Sequence, residues 1–193
     1  MVCPTGLRAG LAALSACLLA VTACTDDGPP APSPTPVQSS PAETQQERTA
    51  RLDKEAAENA YRVVIGESNR LAMAGGADKP TKVIIDNTMG EYLDLVMFDL
   101  TSLKQNGWRT DRPGVTSVTA NRGWSPTEIG LTACEDASGV RLLDRSGKEV
   151  NQDRPRRFVQ TLTARRVEGR WKVAGVESRV VRTFAHGSGC GQS

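Results

Sequence analysis

The chain has 193 residues, 38% of them hydrophobic and 24% charged, with 24 Lys and Arg against 22 Asp and Glu. That near balance speaks against a dedicated nucleic-acid binder, whose footprint is a strongly basic face. The single histidine, His186, has no Cys or Asp at ligand spacing and makes no metal site, and no cofactor motif is present.

At the start, Arg8 precedes an apolar run from Ala9 to Ala20, about a dozen residues, whereas crossing about 30 Å of hydrocarbon takes about 20. The run therefore predicts a secretion signal and not a membrane helix. It ends in Val21-Thr22-Ala23-Cys24, which resembles the lipobox of bacterial lipoproteins: an aliphatic residue, two small ones and a cysteine. The resemblance implies cleavage before Cys24, leaving residues 1–23 as the leader, and a thioether from the Cys24 sulfur to diacylglycerol. Two acyl chains at about 0.8 kcal/mol per buried methylene hold a protein at a membrane for good, whereas one is marginal. The plainer alternative is an ordinary secretory leader with Cys24 a bystander, since small residues precede both kinds of cut. Cys3 and Cys17 leave with the leader in either case.

Residues 24–46 carry Pro29, Pro30, Pro32, Pro34, Pro36 and Pro41 among Ser, Thr, Ala and Asp, with no aromatic residue and no apolar period. Such a segment buries too little to offset its ordering entropy. At about 3.1 Å per residue it predicts a tether reaching up to about 70 Å from the lipid.

Residues 47–193 are the right size for one domain. From Glu47 to Ala74 the residues Leu52, Ala57, Ala60, Tyr61, Val64, Ser68 and Leu71 recur mostly at spacings of three and four, one face of a helix. Gly75-Gly76 stops it, and Pro80 opens a short helix through Val83, Ile84 and Ile85. A third helix fits Gly90 to Asn106, with Leu93, Val96, Met97, Leu100 and Leu103 on its stripe and Gly107 as terminator. After Trp108 the period becomes alternating. Strands are predicted at 115–120 and at 127–135, the latter with Ile129, Leu131 and Ala133 on one face. Residues 139–143 and 148–150 flank the turn Asp144-Arg145-Ser146-Gly147, and 157–167 and 170–181 flank Glu168-Gly169, a tight hairpin. Helices first and antiparallel strands afterwards argue an α+β domain whose sheet wraps the helices.

This order is similar to the nuclear transport factor 2-like superfamily, in particular to actinobacterial lipoproteins with that fold. The residues that carry the resemblance span about Ala56 to Arg179. They are the long first helix around Tyr61, Gly90-Glu91-Tyr92-Leu93, Gly107-Trp108, Thr132-Ala133-Cys134-Glu135-Asp136, Asp144 to Lys148, and Arg165 to Val173. The resemblance implies a cone, N-terminal helices packed in a curved antiparallel sheet. Fold alone implies no activity.

With Cys24 acylated, Cys134 and Cys190 remain as an even pair in an oxidising compartment, which favours a disulfide; two free thiols are the alternative. Closing a loop of about 55 residues is worth about 4 kcal/mol on chain entropy. Relatives that isomerise steroids or cyclise polyketides use an acidic base in the cone, helped by a tyrosine or a neutral aspartic acid. The candidates here are Tyr61, Tyr92, Asp94 and Asp99. Tyr61 lies on an apolar face, which favours a core role, and Asp94 and Asp99 alternate with the apolar stripe and should face water. Dehydratase relatives need pocket histidines that this chain lacks.

Charge is uneven: residues 24–140 hold 11 Lys and Arg against 17 Asp and Glu, and residues 141–193 hold 12 against 5. Arg154, Arg156, Arg157, Arg165, Arg166, Arg170 and Arg179 predict either a sheet surface attractive to an anionic partner or the ordinary charged outer face of a half-exposed sheet. Taken together, the sequence predicts an extracytoplasmic, membrane-anchored protein, more a binder of a small apolar ligand or a partner protein than an enzyme. An isomerase or cyclase is the rival, and an arginine-rich docking module the third reading.

Overall fold

In the computed structural model, residues 43–150 and 157–181 are described. The chain divides after Pro41, and all of these residues belong to the unit beginning at Ala42. The leader, Cys24, the tether up to Ala42, Arg154, Arg156, His186 and Cys190 lie outside the described residues; residues 43–46, expected to close the tether, instead lead into the first helix, which begins at Gln45, two residues before its expected start. No described helix is long and apolar enough to cross a membrane.

Helix α1, Gln45–Met73, starts on a capping box: the Thr44 hydroxyl accepts from the Glu47 amide at 3.2 Å, and the Glu47 carboxylate accepts from the Thr44 amide at 2.8 Å. Its stripe buries Ala57, Ala60, Tyr61, Val64 and Leu71. Leu52, expected on that stripe, is instead 52% exposed, and its neighbour Asp53 takes the inward position at 7%. The swap follows from what Asp53 binds inside, described below. Gly75 and Gly76 end the helix with φ of +97° and +86°, values that L side chains disfavour. Helix α2, Lys82–Asn87, is capped by the Thr81 hydroxyl, so the expected opening at Pro80 falls two residues early. Ile84 points inward, leaving Val83 and Ile85 exposed. Helix α3, Gly90–Asn106, buries Tyr92, Val96 and Leu100, with Leu93 and Met97 partly covered, and Gly107 closes it in the left-handed region.

Strands β2 (Val115–Trp124), β3 (Glu128–Asp136), β5 (Arg157–Val167) and β6 (Arg170–Val181) form one antiparallel sheet in the order β2-β3-β5-β6. A two-stranded ladder pairs β1 (Arg109–Thr110) with β4 (Leu142–Leu143). The strand expected over 139–143 is thus only its last two residues, and 148–150 contributes a single bridge from Glu149 to Leu143. Strand β2 runs four residues past its expected end, through irregular pairing between Thr119 and Trp124. There α1 reaches across to seal the edge: the Ala120 N–H donates to the Glu58 carboxylate at 2.8 Å.

One face of the sheet, carrying Ile129, Leu131, Ala133, Leu162, Ala164, Trp171 and Val173, packs on α1 and α3. The result is α+β, three helices against an antiparallel sheet. The β5–β6 hairpin turns on Glu168 and Gly169, with φ of +51° and +77°, the two-residue geometry whose twist suits a hairpin.

Candidate functional site

Pairing in the sheet aligns inner-face residues across strands: Glu135 on β3 lies opposite Phe158 on β5, and Gln160 on β5 opposite Arg179 on β6. Against this row α1 sets Tyr61 and α3 sets Tyr92, their rings 6.2 Å apart and tilted by 39°. The Tyr61 hydroxyl donates to Glu135 Oε1 at 2.8 Å, and Gln160 Nε2 donates to the same oxygen at 2.8 Å. Tyr61, Tyr92 and Gln160 are buried, and Gln160 Oε1 has no hydrogen-bond partner among the described residues. The Arg179 guanidinium stacks over Phe158 at 3.6 Å, a cation–π contact at an exposed position.

Removal from water pushes the Glu135 carboxyl above the usual carboxylate range, against the pull of Tyr61 and Arg179. Burial likewise pushes both phenols up. A carboxylate raised in the folded state costs stability while ionised, so this group's penalty is full above its folded pKa and fades as pH falls toward its unfolded value of about 4.3. Glu135→Gln, which keeps an acceptor for Tyr61 and cannot ionise, is therefore expected to remove a rise in melting temperature that the parent shows as pH falls toward about 4.3. Thermal melts of the two proteins from neutral pH down to about 4.3 check this; parallel curves would mean that burial does not penalise the charged form of Glu135.

Of the residues singled out in the sequence, Tyr61 and Tyr92 come together here. Asp99 is exposed on α3 and raises the Glu135 carboxyl through its charge, whereas Asp94 is exposed and has no part in the cluster. Glu135 itself, absent from the expected candidates, continues the alternation of Ile129, Leu131 and Ala133, and that continuation was its signal. Among the described residues no group of His, Cys, Asp and Glu is placed to hold a metal.

A second polar centre sits further along the core. The indole N–H groups of Trp171 and Trp124 donate to the two carboxylate oxygens of Asp53 at 3.1 and 3.3 Å, and Arg166 approaches at 3.4 Å with its guanidinium 6.0 Å from the Trp171 ring. This ties β2, β6 and α1 together.

The described arginines do not form one surface. Arg157 pairs with Asp136 and Arg165 with Glu128 on the outer face, both at 3.0 Å; Arg166 turns inward to Asp53; Arg170 lies 3.9 Å from Asp86 on α2. Adjacent strand residues point to opposite faces, so neighbours such as Arg165 and Arg166 cannot share one. Cys134 is buried at 5% and is not a free thiol.

The surface of the described residues is also recessed in places. One recess, of 390 Å³, lies between α1, the end of α2 and the β5–β6 turn, lined by Ala56, Asn59, Asp86, Arg170 and Trp171 among others. Another, of 350 Å³, lies where Met89, Gly90 and Glu91 meet β5 and β6.

No family model matches the chain, and no curated protein matches it. Among solved structures it is similar to the intermembrane space region of the chloroplast protein ARC6, at 15% identity over 67% of this chain and 98% of that one, with a TM-score of 0.47. A domain from Xanthomonas campestris described as a calcium/calmodulin dependent protein kinase II association domain is similar at 10% identity over 69% of this chain and 85% of that one, with a TM-score of 0.27.

Proposed function

We propose that the chain is a lipoprotein anchored at the extracytoplasmic face of a membrane through Cys24. Its domain, a nuclear transport factor 2-like cone, recognises a partner at its surface and does not turn over a substrate. The observation that carries this reading is the filled interior: Tyr61, Tyr92, Ile84, Leu131 and Leu162 are each exposed by 2% or less. The Glu135 carboxylate already has an oxygen engaged by Tyr61 and Gln160. A substrate needs a cavity beside the acid, and neither of the two recesses described above is lined by Glu135. Beyond the sheet, the buried Cys134 supports a bond to Cys190, which would secure the C-terminal segment.

An isomerase or cyclase is the second reading, favoured by the raised Glu135 carboxyl beside the Tyr61 hydroxyl. It needs a substrate cavity at Glu135, and neither described recess reaches that residue.

Intact-mass measurement of the protein extracted from its own membrane tests the leading reading. The expected mass is that of the chain from Cys24 plus a diacylglycerol and one further acyl group, with no thiol alkylated before reduction. Cys24→Ser is expected to move the protein to the aqueous phase. A Cys24→Ser protein that stays in the detergent phase would overturn the anchor, and two alkylatable thiols would overturn the disulfide.

A further inference from the structure

The recess beside the β5–β6 turn owes its shape to small residues. Ala56 and Ala60 on α1 and Gly169 in the turn leave a hollow above Trp171, whose N–H is turned inward to Asp53. The Asn87 amide in its lining is engaged by the Val83 carbonyl at 2.8 Å, but two other polar groups are not spent on the fold. Asn59 is exposed, and its side chain makes no hydrogen bond among the described residues. Arg170 is 59% exposed and its ion pair to Asp86, at 3.9 Å, is loose, because Lys82 already holds that carboxylate at 2.6 Å. Lys172 stands alongside, donating to the neutral Ile85 carbonyl at 2.9 Å. Of these cations Arg170 lines the hollow, and Lys82 and Lys172 stand close enough to act with it on Asp86, the one carboxylate in the lining; counting Glu168 at the tip of the turn still leaves this side of the rim positive.

Two classes of anion suit a positive rim, an acidic peptide and a lipid headgroup. The concave form and the free side-chain amide favour the peptide: a guanidinium with open donors takes a carboxylate in a two-pronged bond, an amide takes a backbone carbonyl, and a hollow lined by alanines takes an aliphatic side chain. A membrane would instead meet a convex apolar surface. We infer that this groove binds an extended, acidic segment of a partner protein, with Arg170 receiving a carboxylate and Asn59 the adjoining backbone. The inference rests on the surface-recognition reading and names its site and the chemistry of its partner.

The test applies the fluorescently labelled full chain to an array of random nonapeptides and, separately, to vesicles of phosphatidylglycerol and phosphatidylcholine. Bound peptides are expected to be enriched in Asp and Glu. Arg170→Glu and Asn59→Trp, the latter filling the hollow, should each weaken them by about tenfold, equivalent to about 1.4 kcal/mol. Arg109→Glu on β1 should leave binding unchanged. All three positions are exposed, so the variants should melt with the parent. Peptides bound equally by all variants would overturn the groove but spare surface recognition. Vesicle binding lost in Arg170→Glu without peptide binding would reassign the rim to a lipid surface. Failure to bind anything would remove the inference and the surface-recognition reading together.

Discussion

Asp53→Ala is expected to lower the melting temperature by about 10 °C, corresponding to about 3 kcal/mol for a domain of this size. The carboxylate is buried at 7% exposure and accepts from the indoles of Trp124 and Trp171 at 3.3 and 3.1 Å. Truncation leaves both donors without an acceptor, at about 1–3 kcal/mol each, and releases Arg166 from its 3.4 Å contact. Asp53→Asn separates the causes. It keeps one oxygen for one indole while removing the charge that Arg166 sees, so an intermediate loss is expected. Urea unfolding of the parent and both variants measures the series. Equal midpoints for the parent and Asp53→Ala would mean that the indoles find other acceptors and that Asp53 does not fasten the helix to the sheet.

Gly76→Ala is expected to be more severe, about 4 kcal/mol or above, and to leave little folded protein at 37 °C. Gly76 has φ of +86°, and a Cβ there would overlap the Leu100 carbonyl oxygen and the Lys104 amide nitrogen, both backbone atoms of α3. A flexible side chain would swing clear, but a helix backbone can yield only by moving as a unit, which would part α3 from the turn after α1. Gly66→Ala is the control. It lies within α1, no atom stands within 4 Å of its Cβ position, and alanine suits a helix better by about 1 kcal/mol, so stability should rise slightly. Circular dichroism melts of the two variants compare them; a Gly76→Ala protein as stable as the parent would refute the close approach of the two segments.

Much of the fold was legible because its elements repeat. The stripe through Ala57, Ala60, Tyr61 and Val64 makes a helix in almost any context, and the alternation of Ile129, Leu131 and Ala133 makes a strand with one buried face. The turn at Glu168-Gly169 and the stop at Gly107 are marked by glycines, which take positive φ without strain. The β1–β4 ladder was not legible, since two residues a side are too few to display a period. Nor was the inward turn of Asp53. Leu52 and Asp53 are neighbours 100° apart on the helix, and hydrophobicity assigns the inner place to leucine. The outcome depends on two indoles 71 and 118 residues further along the chain.

The same division holds for the candidate sites. Tyr61 and Tyr92 could be named from composition and spacing, but their meeting with Glu135 requires α1, α3 and β3 to be packed together. The arginines that looked like one cluster along the chain separate, because successive strand residues face opposite ways and each is drawn to a different carboxylate. By itself the sequence determined the succession of three helices and the principal strands, since local periodicity and turn chemistry act over a few residues. Only the tertiary structure decided which polar groups are buried, which charges cancel and where a recess opens. Those outcomes depend on contacts between residues distant in the chain, where burial makes each hydrogen bond and each vacant volume count in full.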